Sequence, residues 1–456
     1  MLSRCLHRLS VKFTFFLAAW IALFVAAPES AFGAGYLLTD NGLVKRWCKK
    51  DGNGYVGEEF LINSATIPWW SLFAVGIKKA MYLWNSNIAP IKYGAKFGNG
   101  VKGGYRIDDT ISSIARVSPF VSGVTAPAAA YVEENIDNGC IQNVDVIISM
   151  AQPYTSSQYK SANYIYSATG KRSLITALLH ELGHGLGLAH EVNTYNIMGN
   201  DTTNVSTNGN KANPFIDSDA MSGIVSMYGI KGGIYSVTDF IASHFKYDPI
   251  RSKKNGEYGQ AMWTEAYDTE GNLLDVTLIN AVTGKYLPIG SSQRAEPAYK
   301  VYPGQNIIAE FTLQTNTTSS FPVDVSAKFY YSDDFTINQY DQEIGKTTFH
   351  CKLETCQETV QVPLTVPVTI PVSSVGPTKK VGFLGVVLNP GRVFGTDFNS
   401  PYEKDLSNNS TYLALDIRNS PVDTYYSFKG EIVSGPKWIP QGGTIELPVN
   451  AAGDVI

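Results

Sequence analysis

The chain opens with an apolar run that differs from everything after it. Phe13 to Ala27 form this run, with basic residues before it and the small-residue stretch "SAFGA" after it. That order is typical of a secretory signal peptide. We therefore expect residues 1–33 to be removed on export, leaving a secreted, periplasmic or extracellular protein with no membrane span. An uncleaved anchor is the alternative, but the run is shorter than the ~20 apolar residues that a span needs.

Three later segments repeat apolar residues at the spacing of a helix. They are residues 68–85, 173–187 and 217–229. Ser173 is placed to cap the second of these helices, and Asp217 or Ser218 starts the third. Between the first and second, residues 144–149 read "VDVIIS", an apolar and β-branched run that predicts a strand.

After about residue 232 the helical pattern fades, and short runs alternate apolar and polar residues between turn-forming ones. Such alternation is typical of antiparallel strands in a sandwich. The pattern divides the mature chain into four parts. They are a mixed region at 34–232, a linker region at 233–269, a β-sandwich at 270–418 and a β-like tail at 419–456.

The charge composition of the chain bears on which partners it can bind. Charged residues make up 17% of the chain, its net charge is -4, and no basic tract stands out. Nucleic acid is therefore not an expected partner. The hydrophobic content of 44% is enough for a buried core.

Four cysteines remain once the signal peptide is gone, and an even count in an exported chain suggests disulfides. Three pairings are open. Cys351 and Cys356 are close enough in sequence to close a small loop, which leaves Cys48 to pair with Cys140. Free buried thiols are the alternative.

Half of the six histidines lie in the stretch "HELGHGLGLAHE", residues 180–191. His180 and His184 are four residues apart, so a helix places them on one face. Glu181 lies at the edge of that face. Gly187 can take a positive φ, which lets the chain turn and bring in His190.

Three neutral imidazoles suit Zn²⁺ and leave a fourth coordination position for water, as in catalytic zinc sites. Glu181 is then placed to act as the general base on that water. The competing interpretation is a glycine-rich surface helix with incidental histidines. The scarcity of histidine elsewhere in the chain argues against it.

The pattern H-E-x-x-H-x-x-G-x-x-H resembles the motif of the metzincin metalloproteases, and "TYNIMGN" resembles their Met-containing turn. The order of helices and strands over about residues 40–230 is most similar to the bacterial-type matrixin branch. The resemblance implies an α+β fold, with a metzincin catalytic domain of one twisted sheet and three helices at 34–232. It also implies that Met198 forms a hydrophobic floor beneath the zinc ligands.

Two positions depart from the closest patterns within this family. Glu191 follows the third histidine, which resembles the astacin branch, but Asn200 stands where an astacin has tyrosine. The resemblance also implies structural Ca²⁺, for which the sequence assigns no ligands.

These observations predict a secreted zinc endopeptidase that acts on protein or peptide substrates. One alternative is an adhesin or binding protein with an inactive metzincin domain, and another is a zinc hydrolase of non-peptide amides. The stretch "EKDLSNNSTYLALDI" resembles the closing segment of bacterial adhesion-type, immunoglobulin-like domains. The sandwich is therefore expected to bind a surface or matrix ligand or to serve as a spacer.

Overall fold

The structure is a computed structural model, and most of the chain between Gly35 and Gly435 is described. The described residues are 35–98, 110–118, 126–160, 171–191, 196–199, 205–231, 238–246, 262–288, 295–317, 323–351, 358–371, 380–395, 403, 405–418, 424–428 and 431–435. The expected signal peptide and Cys356 lie outside them, so neither that segment nor the Cys351–Cys356 pairing is tested.

The N-terminal region contains a five-stranded sheet in the order β2-β1-β3-β5-β4. Its strands are β1 (Glu59–Asn63), β2 (Gly94–Gly98), β3 (Ser113–Val117), β4 (Ala128–Asn135) and β5 (Cys140–Ser149). All neighbours are parallel except β4, which pairs antiparallel with β5 and forms one edge. The strand predicted at 144–149 is the buried second half of β5, which has a neighbouring strand on each side.

Three helices accompany this sheet, where the periodicity predicts them: α1 (Leu72–Ser86), α2 (Leu174–His184) and α3 (Ser218–Tyr228). The Ser173 hydroxyl accepts a hydrogen bond from the backbone N–H of Thr176, and the Asp217 carboxylate accepts one from Ala220. Both predicted N-caps are therefore confirmed. The first helix starts later than expected, because Ser71 caps it and Pro68–Trp70 form the preceding turn.

Helices α1 and α2 pack directly against each other. A Cβ built on Gly76 of α1 would lie only 2.7 Å from Leu174 Cδ2, so the glycine permits this close approach. The Trp84 indole N–H donates to the Leu179 carbonyl at 3.1 Å. Two short strand pairs flank α2 in the sequence. Strands β6 (Tyr154–Thr155) and β7 (Arg172–Ser173) pair before it, and strands β8 (Val205–Asn208) and β9 (Lys211–Pro214) pair after it.

The second region is built from strands. They are β10 (Thr238–Ser243), β11 (Phe245–Lys246), β12 (Met262–Trp263), β13 (Glu265–Tyr267), β14 (Val276–Asn280), β15 (Ala295–Val301), β16 (Asn306–Thr317), β17 (Val323–Ser332), β18 (Gln342–Cys351), β19 (Glu358–Thr369), β20 (Lys380–Leu388), β21 (Ser410–Ile417), β22 (Thr424–Phe428) and β23 (Glu431–Gly435). A short helix α4 (Pro390–Val393) and a 3₁₀ turn (Leu406–Asn408) lie between β20 and β21.

Two sheets of this region share one core. Strand β16 pairs with β10, β13 and β19, while the other sheet has the order β14-β15-β21-β20-β17-β18. Apolar side chains from both sheets meet between them, including Phe311 and Phe329, whose ring centroids are 6.1 Å apart. Strands β10 and β13 come from the segment 233–269, which was expected to be a linker.

The expected fold class, α+β with a metzincin catalytic domain of one sheet and three helices, is wrong. Strands dominate the described residues, with 23 strands against four α-helices. Strand-forming alternation extends beyond the expected sandwich, whereas helical periodicity is confined to short segments. Helix α3 also packs against β16 and β19 of the second region.

Polar contacts fix this junction between the two regions. The Gln314 side-chain oxygen accepts from the backbone N–H of Ser218 at 2.9 Å, and Ser206 donates to the Ser410 carbonyl at 2.7 Å. The buried Lys160 ammonium reaches the Tyr412 hydroxyl. Ala34–Ile456 accordingly form one compact unit.

Cys48 and Cys140 form a disulfide, which confirms that pairing. It ties the N-terminal segment to the start of β5, where Arg46 already forms a β-bridge with Cys140. Among the described residues, no helix has both the length and the apolar character that crossing a membrane requires.

Candidate metal centre

The three histidines of the motif converge on one point. The Nε2 atoms of His180 and His184 are 3.1 Å apart, and those of His180 and His190 are also 3.1 Å apart. The third distance, between His184 and His190, is 3.3 Å. The structure therefore brings together the three residues that the sequence predicts as metal ligands, in a cluster that could hold a metal ion.

Hydrogen bonds fix the orientation of two of these rings. The Nδ1–H of His180 donates to the Ile197 carbonyl and that of His184 to the Leu188 carbonyl, each at 2.7 Å. With the proton held on Nδ1, the Nε2 lone pair points into the cluster, as a metal ligand requires. Burial lowers the pKa of His180 to about 3 and that of His184 to about 4, which favours neutral imidazoles. The donor set thus fits a divalent metal.

The sequence at the end of α2 explains how His190 comes to lie beside the other two histidines. Helix α2 ends with two hydrogen bonds, Leu188 N–H to the Gly183 carbonyl at 3.1 Å and Gly187 N–H to the His184 carbonyl at 2.8 Å. This is the Schellman pattern, with Gly187 in the left-handed position at φ +96°. A Cβ there would also overlap the Lys45 carbonyl oxygen. Both requirements favour glycine at the turn that delivers His190.

Aromatic side chains from distant parts of the chain hold the same turn. The Trp47 indole N–H donates to the Gly185 carbonyl at 2.9 Å. The Tyr93 hydroxyl donates to Leu182 at 2.8 Å and the Tyr228 hydroxyl to Leu186 at 2.7 Å. These bonds satisfy carbonyls that the helix end leaves without an intrahelical partner.

Met198 lies directly behind the helical turn that carries the first two histidines. It is buried, and its thioether occupies the space that a side chain at Gly183 would need. The approach of Met198 therefore explains why position 183 is glycine. The predicted role of Met198 as a hydrophobic floor stays a prediction, since this packing alone does not test it.

The turn that contains Met198 is itself held by α3. The Asp217 carboxylate accepts from the Ile197 N–H at 2.6 Å, and Asn196 donates to Asp219 at 3.0 Å. Ile197 in turn accepts from His180. Sequence reasoning identified Asp217 only as a helix cap, because nothing local indicates its second partner.

Glu181 is buried beside the histidine cluster and lines the same cleft. The backbone N–H of Ala130 on β4 donates to its carboxylate, and burial raises its pKa to about 8. The cleft has a volume of about 380 Å³. Its lining residues are Ala126, Pro127, Ala128, Ala129, Ala130, Arg172, Ala177, His180, Glu181, His184, His190 and Gly199.

Two features of this cleft were not predicted from the sequence. One wall is the start of β4, an edge strand whose small side chains leave room for a ligand alongside it. Arg172 also faces the cleft and brings a positive charge to it. Neither position belongs to a recognisable motif, so only the fold reveals them.

No family model matches this chain, and no curated protein matches it. Similar solved structures include a CARDB domain from Pyrococcus furiosus in complex with di-metal ions, at 10% identity and a TM-score of 0.17, covering 26% of this chain and 86% of that chain. A putative beta-galactosidase from Bacteroides fragilis has 11% identity and a TM-score of 0.16, covering 29% and 17%. The N-terminal domain of PorA has 8% identity and a TM-score of 0.14, covering 34% and 97%.

Similarities this weak carry no argument about the fold or the function of this chain. The names of these neighbours do not point to a metzincin. The resemblance carried by residues 180–198 therefore stays a proposal.

Proposed function

We propose that this protein is a secreted zinc-dependent endopeptidase. The observation that carries the proposal is the convergence of three Nε2 atoms in an open cleft, with the buried carboxylate of Glu181 beside them. Three histidine nitrogens with an open fourth position are typical of catalytic zinc. The resemblance of the motif to that of metzincin metalloproteases supports the same metal and the same reaction.

A peptide is the substrate that best suits the cleft. Strand β4 lies at the edge of its sheet, and an extended peptide can pair with such an edge through backbone hydrogen bonds. The alanines at its start leave space for substrate side chains. A small non-peptide amide has no extended backbone that could pair with this strand.

The residues of the site have separate roles in the proposed reaction. His180, His184 and His190 would hold the zinc, which when bound supplies Lewis-acid polarisation of the scissile carbonyl and of water. Glu181 takes a proton from the attacking water and delivers it to the leaving amine. The Ala130 N–H keeps the Glu181 carboxylate oriented within the cleft.

The alternative is a binding protein whose histidine cluster no longer supports hydrolysis. The presence of Glu181 argues against it, because a site released from catalysis has no need of a base. The role of the β-rich second region in binding a surface or matrix ligand is part of the proposal, as is export.

Cleavage of an unfolded protein such as casein tests the proposal. We expect chelator-sensitive cleavage by the wild type and by Glu270→Gln, a variant at an exposed turn. We expect none by Glu181→Gln, which keeps the shape of the side chain but cannot accept the proton. Wild-type protein that binds zinc yet cleaves no substrate would favour the binding protein.

A further inference from the structure

Helix α1 carries an apolar face on its outer side as well as on its inner side. Its inner side supplies core residues, including Ile77 and Trp84. Its outer side and the turn before it expose large apolar residues, which we call the α1 outer patch. The members are Trp69, Trp70, Leu72, Val75 and Tyr82, exposed by 63, 70, 70, 57 and 51%.

The spacing of these residues places them on one side of α1. Leu72, Val75 and Tyr82 recur at intervals of three and seven residues, so they share one face of the helix. Trp69 and Trp70 extend that face at its N-terminal end, with their rings edge to face at 5.7 Å. Because the inner side already anchors the helix, folding does not require this surface. Large apolar side chains exposed together on one side of a helix mark an interaction site.

The segment of sequence that carries the patch has a charge of opposite sign to that of the whole chain. The net charge of the chain is -4, yet residues 60–107 contain no Asp or Glu. The same stretch contains six basic residues, namely Lys78, Lys79, Lys92, Lys96, Lys102 and Arg106.

Two lysines of α1 lie beside the patch. Lys78 is exposed with its ammonium 5.1 Å from the centre of the Phe97 ring, and the Lys79 ammonium lies 5.3 Å from the centre of the Tyr82 ring. At the other end the Arg116 guanidinium stacks over Phe73 at 4.1 Å. Asp405 and Lys211 share a surface cleft with Lys79 and Tyr82, so one acidic and one further basic side chain lie near the Tyr82 end.

We propose that the α1 outer patch docks the protein on an anionic phospholipid surface. Tryptophan and tyrosine favour the depth of the lipid headgroups, where an indole ring is half apolar and half hydrated. Lysines beside an apolar helix face add attraction to anionic lipids, while the aliphatic residues enter the acyl boundary. Residues 60–107, which include the whole patch, contribute no carboxylate that such a surface would repel.

The test measures sedimentation of the protein with lipid vesicles. The protein is produced from Ala34 onward, the compact unit, so the apolar run before residue 28 does not contribute. Vesicles of phosphatidylcholine alone are compared with vesicles that also contain phosphatidylglycerol. Three variants are measured beside the wild type: Trp69→Ala with Trp70→Ala, Lys78→Gln with Lys79→Gln, and Tyr340→Ala as a control at an aromatic residue that is 88% exposed elsewhere.

We expect the wild type to bind the anionic vesicles and to lose binding as salt rises. The double tryptophan variant should bind about tenfold more weakly or worse, because each ring loses its burial in the interface. The double lysine variant should lose about tenfold at low salt and most of its preference for anionic lipid. The control should bind like the wild type, and circular dichroism should show all four proteins folded.

Wild-type protein that stays in solution with anionic vesicles would overturn the proposal. So would a double tryptophan variant that sediments like the wild type. A further outcome is that the wild type leaves vesicles unbound and forms a dimer in light scattering, while the double tryptophan variant is a monomer. In that case the patch is a contact between copies of the chain.

Discussion

Replacing Gly187 with alanine is expected to loosen the turn that brings His190 to the other two histidines. Gly187 has a φ of +96°, and a Cβ built on it would overlap the Lys45 carbonyl oxygen and lie 3.2 Å from the carbonyl carbon. The backbone around this position has little freedom to move aside. Leu37 N–H donates to the Gly187 carbonyl at 2.8 Å, and Lys45 N–H donates to the Leu37 carbonyl at 2.8 Å.

Two costs add at this position. A non-glycine residue in the left-handed region costs about 1–2 kcal/mol. Forcing an extra methyl into a packed site costs about 1–3 kcal/mol more. We therefore expect Gly187→Ala to lower the free energy of unfolding by about 2–5 kcal/mol.

Gly42→Ala is the matched control for the backbone cost. Gly42 has a φ of +78°, and a Cβ there meets nothing within 4 Å. This variant should therefore lose only the cost of the positive φ, about 1–2 kcal/mol. The difference between the two variants isolates the overlap with Lys45.

Urea unfolding followed by circular dichroism gives both free energies, and bound zinc is measured on the same samples. We expect Gly187→Ala to lose more stability than Gly42→Ala and to bind zinc more weakly, because His190 is displaced. Equal losses in the two variants, with unchanged zinc affinity in both, would refute the explanation of this turn.

Three further predictions follow from other parts of the molecule. Replacing Cys48 and Cys140 together by serine opens a loop of 92 residues and should lower the free energy of unfolding by about 2–5 kcal/mol in urea; an unchanged midpoint would contradict this. Burial raises the pKa of Asp239 to about 7 in the folded protein, so its contribution to stability is present at acid pH and is lost as pH rises from about 4 to 7. Asp239→Asn should therefore stabilise the protein by at least about 1 kcal/mol at pH 8 and have little effect at pH 4, a difference that thermal unfolding at the two pH values measures. If the proposed peptidase is correct, Arg172→Gln should reduce cleavage beside acidic residues relative to neutral ones, whereas Lys171→Gln, on an exposed neighbour, should not; equal cleavage profiles by mass spectrometry would exclude a role for Arg172.

The parts of the site that depend on local sequence were predictable. His180 and His184 face the same way because a helix repeats every 3.6 residues, and Gly187 marks the turn because few other residues take its φ. The caps at Ser173 and Asp217 follow from side-chain chemistry one turn away.

The supports of the site were not predictable, because they come from far along the chain. Trp47, Tyr93 and Tyr228 reach one turn from three separate elements, and no spacing in the sequence links them. Arg172 reaches the cleft for the same reason. Side-chain contacts of this kind appear only once the chain has folded.

The prediction of the fold class was wrong for a related reason. Short alternating runs do not reveal how many strands pair or with which partners. Strand β10 lies in an expected linker but pairs along six residues with β16. The contact of α3 with β16 and β19, which joins the two regions, leaves no trace in the periodicity of either segment.

We propose that one zinc ion, held by the three histidines, enables Glu181 to act as the general base in peptide hydrolysis. The most direct test strips the protein with a chelator and then titrates zinc back while casein cleavage is followed. We predict that cleavage rises to a plateau at one zinc per chain, and that Glu181→Gln binds the same zinc without any cleavage. Cleavage that does not depend on zinc, or that survives in Glu181→Gln, would contradict it.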